Sequence, residues 1–329
     1  AVTTNTRSIW LSSIGSIGAK ITAAITTVLP TDRLINMTAL TEGLNPQQLA
    51  AVKHEGTPLL VVAGAGSGKT RVLTRRIAYL LAERNVSPYE VLAITFTNKA
   101  AGEMKERVAE LVGDRAKMMW VSTFHSACVR ILRKEASLLG YTNSFTIYDQ
   151  SDSLRLITLV MRDMNLDAKR YAPRAVASLI SQAKNELMGP ADYVNQAKDQ
   201  FQEIVAQVFA IYQKRLTGAN SMDFDDLIAK TVEVLQRQPE VKAKYRSRFK
   251  HILVDEYQDT NHAQYVLIKE LVGSDRDGMP VAELCVVGDA DQSIYAFRGA
   301  NIRNILQFEA DYPSAKTILL EQNYRSTQN

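Results

Sequence analysis

A chain of 329 residues is long enough for about two domains of ordinary size. Hydrophobic residues at 46% and charged residues at 22% allow a sizeable core and exclude a disordered or collagen-like chain. The net charge of +4 is small but uneven: residues 64–140 carry thirteen Lys and Arg against seven Asp and Glu, whereas 141–329 carry 22 against 25. A basic face for an anionic partner, phosphate or nucleic acid, is therefore expected in the first stretch. Two cysteines, Cys128 and Cys285, exclude a disulfide scaffold and a cysteine-rich zinc module and suit a reducing cytoplasm. No apolar run approaches the ~20 residues of a membrane-spanning helix. A soluble cytoplasmic protein with no membrane partner is expected.

Residues 1–36 are rich in Ser and Thr, with Asp32 as the one acid and Arg7, Lys20 and Arg33 as the cations. They read as a leader, tag or upstream sequence outside the fold, or as a short native extension. Met37 opens a segment that looks like an ordinary start. From Leu59 onward, apolar runs alternate with helical patterns. Strands are expected at Leu59–Ala63, Val91–Thr95, Met119–Ser122, Ile252–Asp255, Leu284–Val287 and Thr317–Leu320. A helix after Lys69 would bury Leu73, Ile77, Leu80 and Leu81, and the next would bury Ala100, Met104, Val108 and Leu111. Between about 140 and 220 the alternation stops, and helices are expected at Leu154–Met164, Pro173–Asn185 and Gln200–Leu216. The pattern predicts an α/β fold with a parallel sheet covered on both faces, interrupted by a helical insertion. The expected domains are 37–140 with 221–329, and the insertion 141–220.

The first expected strand runs into Gly64-Ala65-Gly66-Ser67-Gly68-Lys69-Thr70 and then into a helix, which is the context of a P-loop. Ala63 occupies the position usually held by the first glycine. Backbone N–H groups of such a loop curl around an anion, and the helix dipole favours negative charge there. Lys69 would reach the β- and γ-phosphates of ATP and the Thr70 hydroxyl would ligate Mg²⁺. Asp255 and Glu256 follow another apolar strand. Asp255 would hold Mg²⁺ largely through water, and Glu256 would serve as general base toward the attacking water. An acidic pair after a strand is otherwise a turn or a helix cap; the P-loop favours the catalytic reading. His54, His251 and His262 have no partner at metal-ligand spacing, and both cysteines read as packed thiols.

Beyond the P-loop, the sequence resembles the UvrD/PcrA/Rep-like superfamily 1A DNA helicases, through seven motifs in order besides it. Leu44-Asn45-Pro46-Gln47-Gln48 looks like the Q motif. Thr95-Phe96-Thr97-Asn98-Lys99-Ala100-Ala101 is similar to motif Ia, and Ser122-Thr123-Phe124-His125-Ser126 to motif Ib. Met222-Asp223-Phe224-Asp225-Asp226-Leu227 resembles the segment that returns the chain from the insertion. Asp255-Glu256-Tyr257-Gln258-Asp259-Thr260 looks like motif II, the run Val287–Ala300 like motif III, and Leu320-Glu321-Gln322-Asn323-Tyr324-Arg325-Ser326-Thr327 like motif IV.

The resemblance implies a RecA-like ATP-binding domain, called 1A, with the helical insertion as 1B. It implies that Gln48 reads the adenine edge, that Tyr324 and Arg71 sandwich the base, that Gln292 couples the γ-phosphate to the DNA track, and that Arg325 is an arginine finger. It also implies a single-strand track along Thr95, Phe96, Thr123, His125, Phe224, Tyr295, Phe297 and Arg298. Phe297 stands where the family often has Trp. Aromatic stacking suits sequence-tolerant strand binding; the competing reading of these aromatics, Phe96 and Phe224 above all, is hydrophobic core.

The function expected from the resemblance is ATP-dependent 3′–5′ translocation on single-stranded DNA and unwinding at single-strand/duplex junctions, in repair or replication near the nucleoid. The chain then corresponds to an N-terminal half whose second RecA-like domain would follow Asn329, with weak turnover alone. Alternatives are an ATP- and DNA-binding module without turnover and the helicase part of a RecB/AddA-type helicase–nuclease. Protein partners and oligomeric state are not legible.

Overall fold

Short apolar runs without polar alternation are stable only between two layers that keep water from both faces, and this requirement organises the chain. A computed structural model describes residues 40–274, 281–289, 308 and 310–324. Residues 1–36, Gln292, Tyr295, Phe297, Arg298 and Arg325 lie outside the described residues. Six strands form one sheet: β1 (Leu59–Ala63), β2 (Val91–Thr95), β3 (Trp120–Thr123), β6 (His251–Val254), β7 (Glu283–Gly288) and β8 (Lys316–Leu320). Every pairing is parallel and the order is β3-β2-β6-β7-β1-β8. Each expected strand is present within one residue of its predicted bounds. The inner strands are buried along nearly their whole length, whereas the edge strand β8 alternates and leaves Leu319 exposed.

The helices of this layer are α1 (Pro46–Lys53), α2 (Lys69–Ala82), α3 (Asn98–Val112), α4 (Phe124–Glu135), α9 (Phe224–Arg237), α10 (Pro239–Arg248) and α11 (His262–Val272). Helix α2 buries Leu73, Ile77, Leu80 and Leu81 as its period predicts. Helix α3 corrects the expectation by one residue. It buries Ala101, Met104, Val108 and Val112, while Ala100 and Leu111 are only partly covered. A stripe of i, i+3, i+7 and i+11 is equally helical, and the side chains that meet the neighbouring elements decide between the two.

A second group of helices carries its own core: α5 (Gln150–Asp163), α6 (Pro173–Asn185), α7 (Pro190–Gln196) and α8 (Gln200–Gly218). Ile157, Val160, Val176, Ile180, Val205, Phe209 and Leu216 pack there, separately from the core of the sheet. Tyr141 and Phe145 belong to the core of the sheet. A pair of three-residue strands that the sequence pattern does not announce, β4 (Thr146–Tyr148) and β5 (Ser221–Asp223), closes the base of this group. They pair in parallel, Thr146 opposite Ser221 and Tyr148 opposite Asp223. Beside them, buried Lys184 of α6 donates to Asp223 Oδ2 (2.6 Å) and contacts Asp226 Oδ1 (2.9 Å), two carboxylates at the start of α9. The Tyr212 hydroxyl also donates to Asp223. The architecture is thus α/β, a RecA-like parallel sheet with a helical insertion.

Candidate nucleotide site and nucleic-acid interface

In a parallel sheet all strands deliver their following loops to one edge, where ligands of α/β folds bind. The register fixes the order of those loops here. Thr95 lies opposite Thr123, Ile94 opposite Val254, Val254 opposite Val286, Val62 opposite Gly288, and Ala63 opposite Leu320. The residues after β3, β2, β6, β7, β1 and β8 therefore follow one another along the carboxyl edge, about 4.8 Å per strand.

The P-loop leaves β1 and turns twice through left-handed backbone, at Gly66 (φ +76°) and Gly68 (φ +87°), which favour glycine. Ser67 ties the loop across itself, its hydroxyl donating to the Gly64 carbonyl at 2.7 Å. Among the described residues, the amides of Ala65, Gly66, Gly68, Lys69 and Thr70 donate to no backbone carbonyl. A row of free N–H groups at the head of α2 is an anion cradle.

Lys69 Nζ donates to Asp289 Oδ2 at 3.0 Å and sits 3.8 Å from Glu256 Oε2. The buried Asp289, which follows β7, donates its N–H to Gln258 Oε1 (2.9 Å), and Gln258 Nε2 donates to Glu256 Oε2 (2.9 Å). Asp289 and Gln258 stand in motifs visible in the sequence, yet neither receives a role from it. Their signal is spatial only: 220 residues separate Asp289 from Lys69.

Asp255 continues β6, its N–H donating to the Ile94 carbonyl. Burial pushes its carboxyl up to about 6, and the neighbouring Glu256 charge adds to the shift. Glu256 itself adopts φ +48°, a conformation that costs a non-glycine residue about 1–3 kcal/mol and persists only where the surrounding structure holds it. A buried carboxylate that resists ionisation, near Lys69 of the anion cradle, fits a divalent cation. Among the described residues no trio of His, Cys, Asp or Glu forms a metal cage. Mg²⁺ in phosphate sites needs none, because phosphates and water complete its shell.

Beside the loop, Tyr324 donates its N–H to the Gly66 carbonyl (2.9 Å), and its half-exposed ring is held by Asn45 Nδ2, which donates to the Tyr324 hydroxyl (3.0 Å). The exposed Arg71 guanidinium comes close to Gly43, where an added Cβ would lie 2.8 Å from Nη2. Gln48 is fully buried; its Nε2 donates to the Ser67 carbonyl at 2.9 Å. The structure thus brings Gln48, the P-loop, Arg71 and Tyr324 into one neighbourhood.

Toward β2 and β3 the character changes. Thr95 is buried, its hydroxyl donating to the Thr97 carbonyl. Thr123 caps α4, accepting from Ser126 N–H. Phe96 is partly buried, edge-on to Phe124 at 5.6 Å, and so contributes to the core. Phe224 is 50% exposed and stacks edge-on with His125 at 5.4 Å. This aromatic pair joins the starts of α4 and α9. Both cysteines are buried, and burial holds the Cys128 thiol up at about 12 and Cys285 at about 11, too high for nucleophiles at neutral pH.

Comparison with known proteins agrees with this geometry. Residues 44–313 match the UvrD/REP helicase N-terminal domain. The ATP-dependent DNA helicase UvrD1 of Mycobacterium tuberculosis is 62% identical over 305 residues, covering 91% of this chain and 39% of the relative. The ATP-dependent DNA helicase PcrA of Staphylococcus aureus is 55% identical over 292 residues, covering 89% and 39%. The chain spans about two fifths of the length of these curated relatives.

Proposed function

Because the chain belongs to the UvrD/REP helicase family through its N-terminal domain, we propose that it is the ATP- and single-strand-binding part of an ATP-driven DNA helicase. The observation that carries the proposal is the shared carboxyl edge. A free-amide cradle and an acidic pair lie on the same edge as the starts of α4 and α9, where the exposed Phe224 ring meets His125.

In this reading the loop amides and Lys69 bind the phosphates of ATP, Lys69 exchanging Asp289 for them. Thr70 and Asp255 hold Mg²⁺, which when bound neutralises charge on the transferring phosphoryl group. Glu256 accepts the proton of the attacking water, held toward the site by Gln258. Arg71 and Tyr324 flank the base, and Gln48 belongs to the same pocket. Phe224 and His125 contact the strand, and the buried Thr95 and Thr123 with the partly buried Phe96 support that surface from beneath. Gln292, Tyr295, Phe297, Arg298 and Arg325 take the coupling, stacking and finger roles that the resemblance assigns. The domain limits 37–140 with 221–329, and 141–220 for the insertion, are part of the same proposal. So are 3′–5′ movement, action at single-strand/duplex junctions and work in repair within the cytoplasm, which rest on family likeness.

The test is binding of a fluorescent ATP analogue with Mg²⁺. The unsubstituted chain should bind it and release it to ATP, and Lys69→Ala should abolish tight binding, since Lys69 is the one cation within the loop Gly64–Thr70. Unchanged affinity in Lys69→Ala would overturn the phosphate-site assignment.

A further inference from the structure

Phe224 is an exposed ring whose own packing does not explain where it points. It is 50% exposed, and its one described ring partner is His125 at 5.4 Å. Its direction is therefore set by the backbone at the start of α9. That start is a capping box: Asp223 Oδ1 accepts from Asp226 N–H (2.8 Å), and Asp223 N–H donates back to Asp226 Oδ2 (3.4 Å). Phe224 is the first helical residue inside the box, with Asp223, Asp225 and Asp226 around it.

The side chains that grip these carboxylates come from the helical insertion. Lys184 Nζ, near the end of α6, lies 2.6 Å from Asp223 Oδ2 and 2.9 Å from Asp226 Oδ1. Asn185, the next residue, donates from Nδ2 to Asp225 Oδ1 (3.3 Å) and accepts at Oδ1 from Asn261 Nδ2 (2.6 Å), the cap of α11. From α8, the Tyr212 hydroxyl donates to Asp223 Oδ2 (2.8 Å) and Gln213 Nε2 to Asp226 Oδ2 (3.1 Å). Helix α9 thus packs Leu227, Ile228 and Val232 into the core of the sheet, while its first turn is held by the insertion. Lys184 is 3% exposed. Burial opposes its charge, but the Asp226 and Asp223 carboxylates outweigh burial and hold the ammonium above its ordinary value. Apolar side chains in place of a buried ion pair often cost no stability. What they cannot keep is a pair of short contacts that set one turn of helix at one angle.

We infer that Lys184, with Asn185, is a positioning residue for strand binding: from the insertion it sets the first turn of α9 so that the Phe224 ring is presented to a base, without touching the strand itself. The inference rests on the proposed strand face and adds the insertion to what maintains it.

The experiment is a double-mutant cycle on the 329-residue chain, read by anisotropy of a labelled oligo-dT at fixed ionic strength. Lys184→Met should lower oligo-dT affinity by about fivefold or more, the lower end of what one stacked base contributes. Affinity for the ATP analogue should not change. In the Phe224→Ala background Lys184→Met should weaken binding no further, because the ring through which it acts is gone. An equal loss in both backgrounds would show that Lys184 acts by its charge or on the fold as a whole, and would overturn the inference. So would no loss in the unsubstituted background, or a parallel loss of nucleotide affinity. Removing the ammonium leaves Asp223 and Asp226 buried without a counter-ion, which can prevent folding. Asn185→Ala then decides, since this neutral, partly exposed residue can be truncated without stranding a charge. It should weaken oligo-dT by at least about twofold, the size of one weak hydrogen bond, and only where Phe224 is present. A loss that persists in Phe224→Ala, or no loss, overturns the inference there too. If Phe224→Ala by itself leaves oligo-dT affinity unchanged, the strand face is wrong and this inference falls with it.

Discussion

Lys69 is the cation on which the candidate site turns, and its neighbours are all acceptors. Asp289 holds Nζ at 3.0 Å, the Ala63 carbonyl lies at 3.5 Å and Glu256 at 3.8 Å. A phosphate entering the cradle competes with the Asp289 carboxylate for the same ammonium and is repelled by it. Asp289→Asn keeps the shape and removes the charge. Its affinity for Mg²⁺–ATP should rise by roughly tenfold, since a charge-assisted hydrogen bond contributes about 1.5–3 kcal/mol. Titration of a labelled ATP analogue measures this, and a fall in affinity would show that Asp289 aims Lys69 rather than competing for it. At this scale the sequence reveals the chemistry but not the partners. Lys69, Thr70, Asp255 and Glu256 announce themselves because each sits beside a strand or a glycine turn within a few residues. Asp289 and Gln258 do not, because a contact between distant loops leaves no local pattern. Phe96 and Phe224 look alike in sequence, and only packing separates the partly buried ring from the exposed one.

Elements in this fold are fastened at their amino ends as well as fitted at their carboxyl ends. Arg76, in the middle of α2, is fully buried, and its Nη1 donates to the carbonyls of Ala51 (2.9 Å) and His54 (2.7 Å) at the end of α1. Its Nη2 pairs with Glu283 Oε1 (2.9 Å) at the start of β7, and Glu283 also takes Arg84 (2.7 Å) and lies near His251 (3.2 Å). These partners outweigh burial and hold the Glu283 carboxyl down at about 2, below its ordinary 4.5. A lowered acid contributes stability that is full above 4.5 and is lost as pH falls toward 2. Glu283→Gln leaves the buried Arg76 charge without its counter-ion and should cost about 3 kcal/mol at neutral pH. Urea unfolding of both proteins checks it. The gap between their midpoints should be constant above the ordinary carboxylate range and close as pH falls through it; a gap independent of pH would assign the effect to packing. The strands were legible because an inner parallel strand has no polar alternation to confuse its reading. The clasp of β4 and β5 was not, since three residues carry no period, and the face of α3 was misjudged by one residue because adjacent apolar stripes satisfy the same period.

Across the whole molecule, the order of strands decides which functions are neighbours. Thr123 and Thr95 end β3 and β2; Asp255 follows β6; Asp289 and Gly64 follow β7 and β1. That the segments following β1, β2, β3 and β6 reach one edge was legible, because segments following parallel strands have no other place to go. The adjacency of β2 and β6, which sets the strand face beside the acidic pair, was not, because strand order depends on crossovers rather than on any one segment. From Thr123 to Gly64 the edge spans four strand spacings, about 19 Å, enough for two ligands side by side without overlap. The two halves should therefore be separable by substitution. Phe224→Ala removes an exposed ring whose one described ring partner is His125, so it empties no core and should leave the fold intact. With a labelled oligo-dT, Phe224→Ala and His125→Ala should each weaken binding, and the loss of a stacked base contributes about 1–3 kcal/mol. Affinity for the ATP analogue, measured without DNA, should stay the same in both. Lys69→Ala should show the converse, losing the nucleotide and keeping the oligonucleotide. Anisotropy at fixed ionic strength measures all three, since strand affinity depends steeply on salt. If Phe224→Ala weakens nucleotide and strand alike, the aromatic pair belongs to the structure of the edge rather than to a strand-binding face, and the division of that edge between two ligands is wrong.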